Sequence, residues 1–188
     1  MPMPLDSFDL DSPCGRHFKY RDFIECSKTW KRLSAEGDPR IATLNLPQER
    51  ATLEGIDALC ERVLDPVCER FGLVELTYGF ASPAFVRRVP RGIAPALDQH
   101  AGSERTRTGA LRCSRGGQAV DLLGDPDKIA EIARYVALDL PFDRLYYFGP
   151  GRPFHVSVGP QNTKQITRLC VAPSGRIYPR RGTASEIL

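Results

Sequence analysis

The chain has 188 residues, of which 41% are hydrophobic and 26% charged. This is the composition of one globular domain with its own core, and it excludes disordered, coiled-coil and collagen-like proteins. The formal net charge of +3 says little about partners, but only five of the 26 basic residues are Lys. The rest are Arg, the side chain best suited to bidentate binding of carboxylate or phosphate.

The ends and the cysteines of the chain indicate its compartment. No apolar run is long enough to form a transmembrane helix, and the first residues lack the basic start and apolar stretch of a secretory signal. The six cysteines include no C-x-x-C pair, so we interpret them as reduced thiols, mostly in the core. These features predict a cytoplasmic protein with no membrane partner.

Helices are predicted mainly in the first half. The range 19–35 has an apolar face and is followed by Gly37, which favours a helix end. A longer helix is predicted after Pro47, because apolar residues recur every three or four positions as far as Phe71. Pro66 predicts either a kink in this helix or the start of a second helix with Asp65 as its N-cap.

Short strands are predicted mainly in the second half. A Pro-, Gly- and Arg-rich irregular region follows the first strand, and a helix that opens after Asp125 and Pro126 follows the second. Because strand–helix–strand alternation is rare, the pattern predicts an α+β fold with N-terminal helices packed on a small antiparallel sheet. The predicted strands cover 73–77, 119–123, 144–148, 154–158, 165–172 and 176–178.

Two histidines and one acid form a candidate metal site. His155 alternates with apolar residues in a predicted strand and therefore lies on its polar face. Asp121 lies in an apolar strand, where a carboxylate is unfavourable unless it is paired or bound to a metal. Together with His100 they form a ligand set for Zn²⁺ that leaves a fourth position to water. The alternative is two ordinary histidines and a paired acid, and we interpret His17 as structural or exposed.

Several pieces of the sequence, in one order, resemble the M15 peptidase family of zinc D-Ala-D-Ala carboxypeptidases and phage endolysins, which is related to the hedgehog fold. The match to the family's S-x-H-x-x-G-x-A-x-D zinc motif is split between Asp98-Gln99-His100 and the range 117–121. The other pieces are the helical lead-in at 18–27, Asn45-Leu46-Pro47, Leu64-Asp65-Pro66, Phe71-Gly72, the turn at 78–83 and His155-Val156-Ser157.

The resemblance implies a zinc domain at 17–160, after an N-terminal extension at 1–16 and before a strand, turn and tail at 161–188. It implies that zinc is held by His100, Asp121 and His155. The implied activity is that of a zinc-dependent hydrolase, in which metal-activated water attacks an amide bond such as one in a peptidoglycan stem peptide. An endolysin of this kind is released by lysis, which explains the missing secretion signal equally well.

The sequence departs from the family at three places. An insertion at about 101–116 separates His100 from Asp121, and we expect it to hang over the metal. The family's arginine for the substrate carboxylate is replaced by Ala81. The family's general-base glutamate is replaced by Arg152, which stays protonated and cannot accept a proton.

Other residues are candidates for the missing roles. Glu104 on the insertion is the first candidate for the general base and Asp98 the second, although Asp98 would alternatively orient His100. A solvated ion pair is the plain alternative for Glu104. Arg152 would stabilise an anion or a developing oxyanion. Further candidates are Arg115 and Tyr78 for substrate contact, Tyr146 for a hydroxyl near the metal, and Cys113 as a ligand, nucleophile or buried thiol.

Three functions remain open from the sequence. The first is the M15-type hydrolase, acting on a small peptide. The second is a zinc enzyme on another anionic substrate, linked to a nucleotide or nucleic acid, which the arginine-rich insertion favours. The third is a catalytically inactive zinc-binding domain, which the loss of the family's glutamate favours. The sequence does not predict an oligomeric state.

Overall fold

A six-stranded mixed sheet forms the centre of the protein, for which a computed structural model describes residues 8–90 and 97–187. In space the strands lie in the order β1-β2-β4-β3-β5-β6. The α+β class predicted from the sequence is therefore confirmed. The strands are β1 (Glu75–Tyr78), β2 (Gln118–Leu123), β3 (Arg144–Tyr147), β4 (Phe154–Val158), β5 (Gln165–Val171) and β6 (Ile177–Gly182).

One strand pair departs from the predicted antiparallel sheet, because β5 pairs parallel to β3. Both edges of β4 are taken by β2 and β3, so the strand after β4 cannot pair with it, and β5 joins the sheet at the remaining edge of β3. The connection passes round the start of β3, where the Asp143 side chain accepts hydrogen bonds from the backbone and hydroxyl of Thr163 at 3.0 and 2.7 Å. Strands from the predicted 161–188 segment thus complete the same sheet as those of the predicted zinc domain.

Several helices pack on one face of the sheet, whereas those at 28–35, 41–44 and 83–86 contribute to a second apolar cluster that includes Tyr78. Residues of the longer helices share one apolar cluster with the inward-facing side chains of β2, β3 and β4. None of the helices in the described ranges is long and apolar enough to cross a bilayer. The helices are α1 (Tyr20–Glu25), α2 (Lys28–Ala35), α3 (Ile41–Leu44), α4 (Arg50–Leu59), α5 (Asp65–Phe71), α6 (Pro83–Val86) and α7 (Ile129–Asp139).

Two of the predicted helices differ in detail from those in the structure. The predicted helix at 19–35 is divided into α1 and α2, because Ser27 is extended and its hydroxyl caps α2 by accepting a hydrogen bond from the Trp30 N–H. At Pro66, where the sequence predicts a kink or the start of a second helix, α5 follows α4 without a gap through a π-helical turn (Cys60–Leu64). Proline lacks an N–H and its ring crowds the carbonyl one turn earlier, which a wider turn accommodates.

The predicted N-cap role of Asp65 is wrong, since the helix runs through this position. Both carboxylate oxygens of Asp65 accept hydrogen bonds from the backbone N–H of Arg16, at 3.1 and 3.0 Å. This contact holds the chain before α1 against α5. Phe8 and Leu10 in the same segment pack against the main core.

Candidate metal centre

The strand register places four polar or aromatic side chains in one row across the sheet. Asp121 on β2 lies opposite His155 on β4, which in turn lies opposite Tyr146 on β3. A break in the regular pairing of β1 brings Tyr78 opposite Asp121. Directly opposed residues in antiparallel strands share a face, and the alternating neighbours Val120 and Val156 lie in the helix-packed core. The row therefore lies on the other face of the sheet.

His100 reaches this row from a separate element, the 3₁₀ turn Gln99–Ala101. The Asp98 carboxylate caps the turn by accepting a hydrogen bond from the His100 N–H at 3.1 Å. The His100 carbonyl accepts one from the Ala81 N–H at 2.9 Å. The backbone of His100 is thus fixed on both sides, and the residue is only 1% exposed.

The Gly79 carbonyl sets the proton position on His100. It lies 2.8 Å from Nδ1, and because a carbonyl oxygen only accepts, Nδ1 carries a proton and Nε2 is the nitrogen left to bind a metal ion or a second proton. Gly79 is required at this place for steric reasons, since a Cβ would lie 2.4 Å from the Phe23 carbonyl oxygen. A histidine that donates its second N–H to a carbonyl is the usual arrangement for a metal ligand.

Three ligand atoms from His100, Asp121 and His155 converge. His100 Nε2 lies 3.1 Å from His155 Nδ1 and 3.3 Å from Asp121 Oδ1, and His155 Nδ1 lies 2.9 Å from the same oxygen. Ligands bound about 2.0 Å from a tetrahedral zinc ion lie roughly 3.3 Å apart. The three atoms therefore have nearly the spacing of one face of a zinc tetrahedron. This buried group has the composition and geometry to hold a metal ion.

The electrostatics of the group also indicate a cation. His100 Nε2 and Asp121 Oδ1 both carry lone pairs and face each other, so a positive charge, from a proton or a metal ion, is needed between them. Burial alone would lower the pKa of His100, but the Asp121 carboxylate raises it above its ordinary value. Burial lowers the pKa of His155. Although burial opposes ionisation of Asp121, the two histidines hold the pKa of its carboxyl well below the usual range.

Two tyrosine rings flank the histidines. The Tyr78 ring meets His100 edge to face with centroids 4.5 Å apart, and the Tyr146 ring is tilted against His155 at 4.9 Å. Burial raises the pKa of the Tyr78 hydroxyl, and the nearby Asp98 charge raises it further. Both tyrosine rings therefore pack beside the histidines, and their proposed hydroxyl roles stay a prediction.

The two carboxylates considered as general base have different surroundings. Glu104 is 2% exposed, and its Oε1 accepts hydrogen bonds from Gln48 N, Glu49 N and Thr52 Oγ1. These contacts occupy Glu104 at the start of α4 and give no support to a catalytic role. Asp98 caps the His100 turn with one carboxylate oxygen, and its negative charge adds to that of Asp121 in raising the pKa of His100. Asp98 is therefore the better placed of the two.

The arginine candidates have no described contact with the three ligands. The Arg152 guanidinium lies 5.6 Å from the centre of the Phe148 ring. The Arg115 guanidinium donates a hydrogen bond to the Leu97 carbonyl at 3.3 Å. Cys113 is fully buried as a free thiol and is absent from the metal-binding group, which agrees with its plain interpretation as a core residue.

The insertion at 101–116 packs against α4. Besides the Glu104 contacts, Thr52 Oγ1 accepts a hydrogen bond from Ser103 N, and Arg105 pairs with Glu49. Among the described residues, no hydrogen bond or ion pair runs from the insertion to the side chains of the three ligands. The expectation that the insertion hangs over the metal has no support from these contacts.

A buried polar network that the sequence did not reveal supports the His100 turn. Gln99 donates hydrogen bonds to the Gly116 carbonyl at 3.0 Å and to Asp143 at 2.9 Å. It accepts one from the Ser157 hydroxyl at 2.8 Å. The network joins both ends of the insertion to β4. Gln99 precedes His100 in the sequence, but its hydrogen-bond partners are distant in the chain and meet it only in the folded protein.

The comparisons with known proteins give no family for this chain. No family model matches the sequence, and no curated protein or solved structure shows significant similarity to it. The M15 resemblance stays a prediction from the motifs described above.

Proposed function

We propose that the protein is a zinc-dependent hydrolase of the M15 type, with zinc bound by His100, Asp121 and His155. The observation that carries the proposal is the convergence of three ligand atoms within 3.3 Å of one another, from three separate elements. Two neutral imidazoles and one carboxylate suit zinc and leave a coordination position open. The proposed substrate is an amide in a small peptide, such as a peptidoglycan stem peptide.

The residues around the site have defined roles in this proposal. A bound zinc ion would supply a Lewis acid and lower the pKa of water in its open position. The Gly79 carbonyl orients His100, and the rings of Tyr78 and Tyr146 cover the two histidines. Asp98 is the proposed proton acceptor, because it lies on the same turn as His100 whereas Glu104 is occupied at α4.

Metal stoichiometry tests the proposed ligands. After dialysis against zinc followed by metal-free buffer, elemental analysis is expected to find one zinc ion per chain in the wild type. His100→Ala, Asp121→Asn and His155→Ala are expected to lose it. His17→Ala is the matched control, because His17 is exposed and lies outside the metal-binding group. Full zinc retention in His155→Ala would contradict the proposed site.

Product analysis tests the reaction. The zinc-loaded wild type is incubated with muropeptides and, in parallel, with nucleotides, and the products are identified by mass spectrometry. We expect cleavage of an amide in a muropeptide. Asp98→Asn should keep its zinc, since the amide oxygen still accepts the His100 N–H bond, but lose most of this activity. Glu104→Gln is expected to remain active. Turnover of nucleotides alone would replace the M15-type proposal by the anionic-substrate alternative.

A zinc-binding domain without turnover is the second candidate. It is favoured because, among the described residues, Asp121 is the only carboxylate in the metal-binding group. In addition, Arg152 replaces the general base expected from the M15 resemblance. Zinc binding without product from any muropeptide or nucleotide, at full zinc occupancy, would select this candidate over the hydrolase.

A further inference from the structure

We propose that a cavity beside the His100 turn binds a small carboxylate, with Arg112 of the insertion as the recognising side chain. The cavity has a volume of about 230 Å³. It is bounded by the turn, by α6 and by the insertion, so the elements that form it come from three parts of the chain. Its lining residues are Pro83, Val86, Arg87, Asp98, Ala101 and Arg112.

Arg112 combines a half-buried position on the insertion with a charge that has no partner among the described residues. Its Nε is buried and makes no hydrogen bond, and within 8–90 and 97–187 no residue forms an ion pair with its guanidinium. By contrast, Arg105 bonds to the Gly109 carbonyl and Arg115 to the Leu97 carbonyl. A half-buried guanidinium without a counter-ion is unfavourable, and an anion in the cavity would pair with its charge.

The lining favours a carboxylate over a phosphate. Arg87 and Arg112 contribute two positive charges and Asp98 one negative charge, so the wall has a net charge that suits a monoanion. A phosphate dianion would be repelled more strongly by Asp98. Pro83, Val86 and Ala101 add apolar surface for a short aliphatic group. Since a water molecule occupies about 30 Å³ of liquid, the cavity has room for a group the size of one small amino acid.

The position of the cavity gives the carboxylate a role. Asp98 and Ala101, which line it, flank His100 on the same turn. A peptide whose terminal carboxylate bound there would be held next to the element that supplies a metal ligand. This role as a substrate subsite rests on the proposed function, whereas binding of the anion itself does not.

Direct binding to the metal-free protein tests the inference. The probes are N-acetylalanine, its uncharged amide N-acetylalaninamide, and inorganic phosphate, each followed by titration in heteronuclear NMR. The variant is Arg112→Gln. The matched control is Arg107→Gln on the same insertion, because Arg107 is exposed and lines no part of the cavity.

We expect N-acetylalanine to bind the wild type and Arg107→Gln equally and to shift the resonances of Ala101 and Val86. Arg112→Gln should weaken this binding at least about tenfold, the usual effect of losing a hydrogen bond to a charged group. The amide should bind at least about tenfold more weakly than the acid. Equal binding of acid and amide to the wild type would overturn the proposal and requires no variant.

Two further results would also overturn it. One is unchanged N-acetylalanine affinity in folded Arg112→Gln, and the other is stronger binding of phosphate than of N-acetylalanine. Because the protein is metal-free in these titrations, failure here leaves the zinc stoichiometry untouched. Loss of zinc binding would likewise leave the anion titration unchanged, so the two proposals fail separately.

Discussion

Glu104 is a buried carboxylate that connects the insertion to α4 by hydrogen bonds, although burial makes its ionised form unfavourable. Burial raises its pKa above the ordinary value of 4.5, although hydrogen bonds from Gln48, Thr52 and Glu49 oppose the shift. In the unfolded chain Glu104 loses its proton near the ordinary value, and in the folded chain only at higher pH. The folded state therefore binds more protons in this window, and stability falls as the pH rises through it.

A substitution at Glu104 is expected to reveal this linkage. In Glu104→Gln the titration is removed, so the unfolding free energy of the wild type relative to the variant should fall as the pH rises above the ordinary pKa of 4.5. Urea unfolding at several pH values measures the difference. Glu61→Gln is the control, since Glu61 is exposed. A wild type that instead gained stability over Glu104→Gln with rising pH would mean that the three hydrogen bonds outweigh burial.

The candidate ligand residues could be predicted from the sequence, whereas the groups that surround and orient them could not. Asp121 and His155 each lie at the polar position of an apolar alternation, a local signal that predicts their shared face. The Gly79 carbonyl that orients His100 has no side-chain signal at all. Glu104 was misleading because its closeness to His100 in sequence says nothing about Gln48, its partner at the start of α4.

At the scale of elements, the site depends on the close approach of β1 and α1. The Phe80 N–H donates to the Phe23 carbonyl at 2.9 Å, and the adjacent Gly79 has no room for a side chain. Gly79→Ala should therefore push β1 away from α1 and move the carbonyl that holds His100. We expect a loss of about 1–3 kcal/mol in the free energy of unfolding, together with weaker zinc binding.

Calorimetric melting and zinc titration of Gly79→Ala check both effects. Gly182→Ala is the matched control, because the new Cβ would meet mainly the flexible Arg168 side chain. If Gly79→Ala melted like the wild type and bound zinc with the same affinity, the packing of β1 on α1 would have no part in positioning His100.

Element types were predictable, but their pairing was only partly so. Strand segments and helix stripes follow local periodicity, which the sequence displays directly. The parallel pairing of β5 with β3 depends on which edges were already taken, and no segment encodes that by itself. The continuity of the helix through Pro66 could not be predicted either, because no residue pattern is specific to a π-helical turn.

At the scale of the whole molecule, Ile187, at the end of the described part of the chain, belongs to the core. Ile187 is fully buried, and its carbonyl accepts a hydrogen bond from Arg134 of α7 at 2.6 Å. The predicted division at residue 160 therefore separates parts that share one core. Ile187→Ala is expected to lower the free energy of unfolding by about 2–5 kcal/mol, as for other buried large-to-small changes.

Denaturant unfolding of Ile187→Ala measures this loss. Leu138→Ala is the control, since Leu138 lies on α7, the helix that Ile187 contacts, but is 60% exposed. Its effect should stay within about 0.5 kcal/mol. Equal stability of the two variants would show that the C-terminal residues contribute nothing to the fold.

The row formed by Tyr78, Asp121, His155 and Tyr146 makes metal binding a test of strand alignment. Sliding β2 by a single position would turn Asp121 toward the helices while leaving the number of backbone hydrogen bonds almost unchanged. A misaligned chain would then retain much of its secondary structure yet release the ion. Zinc added during refolding should consequently increase the fraction of molecules with the correct strand register, because only these bring all three ligand atoms together.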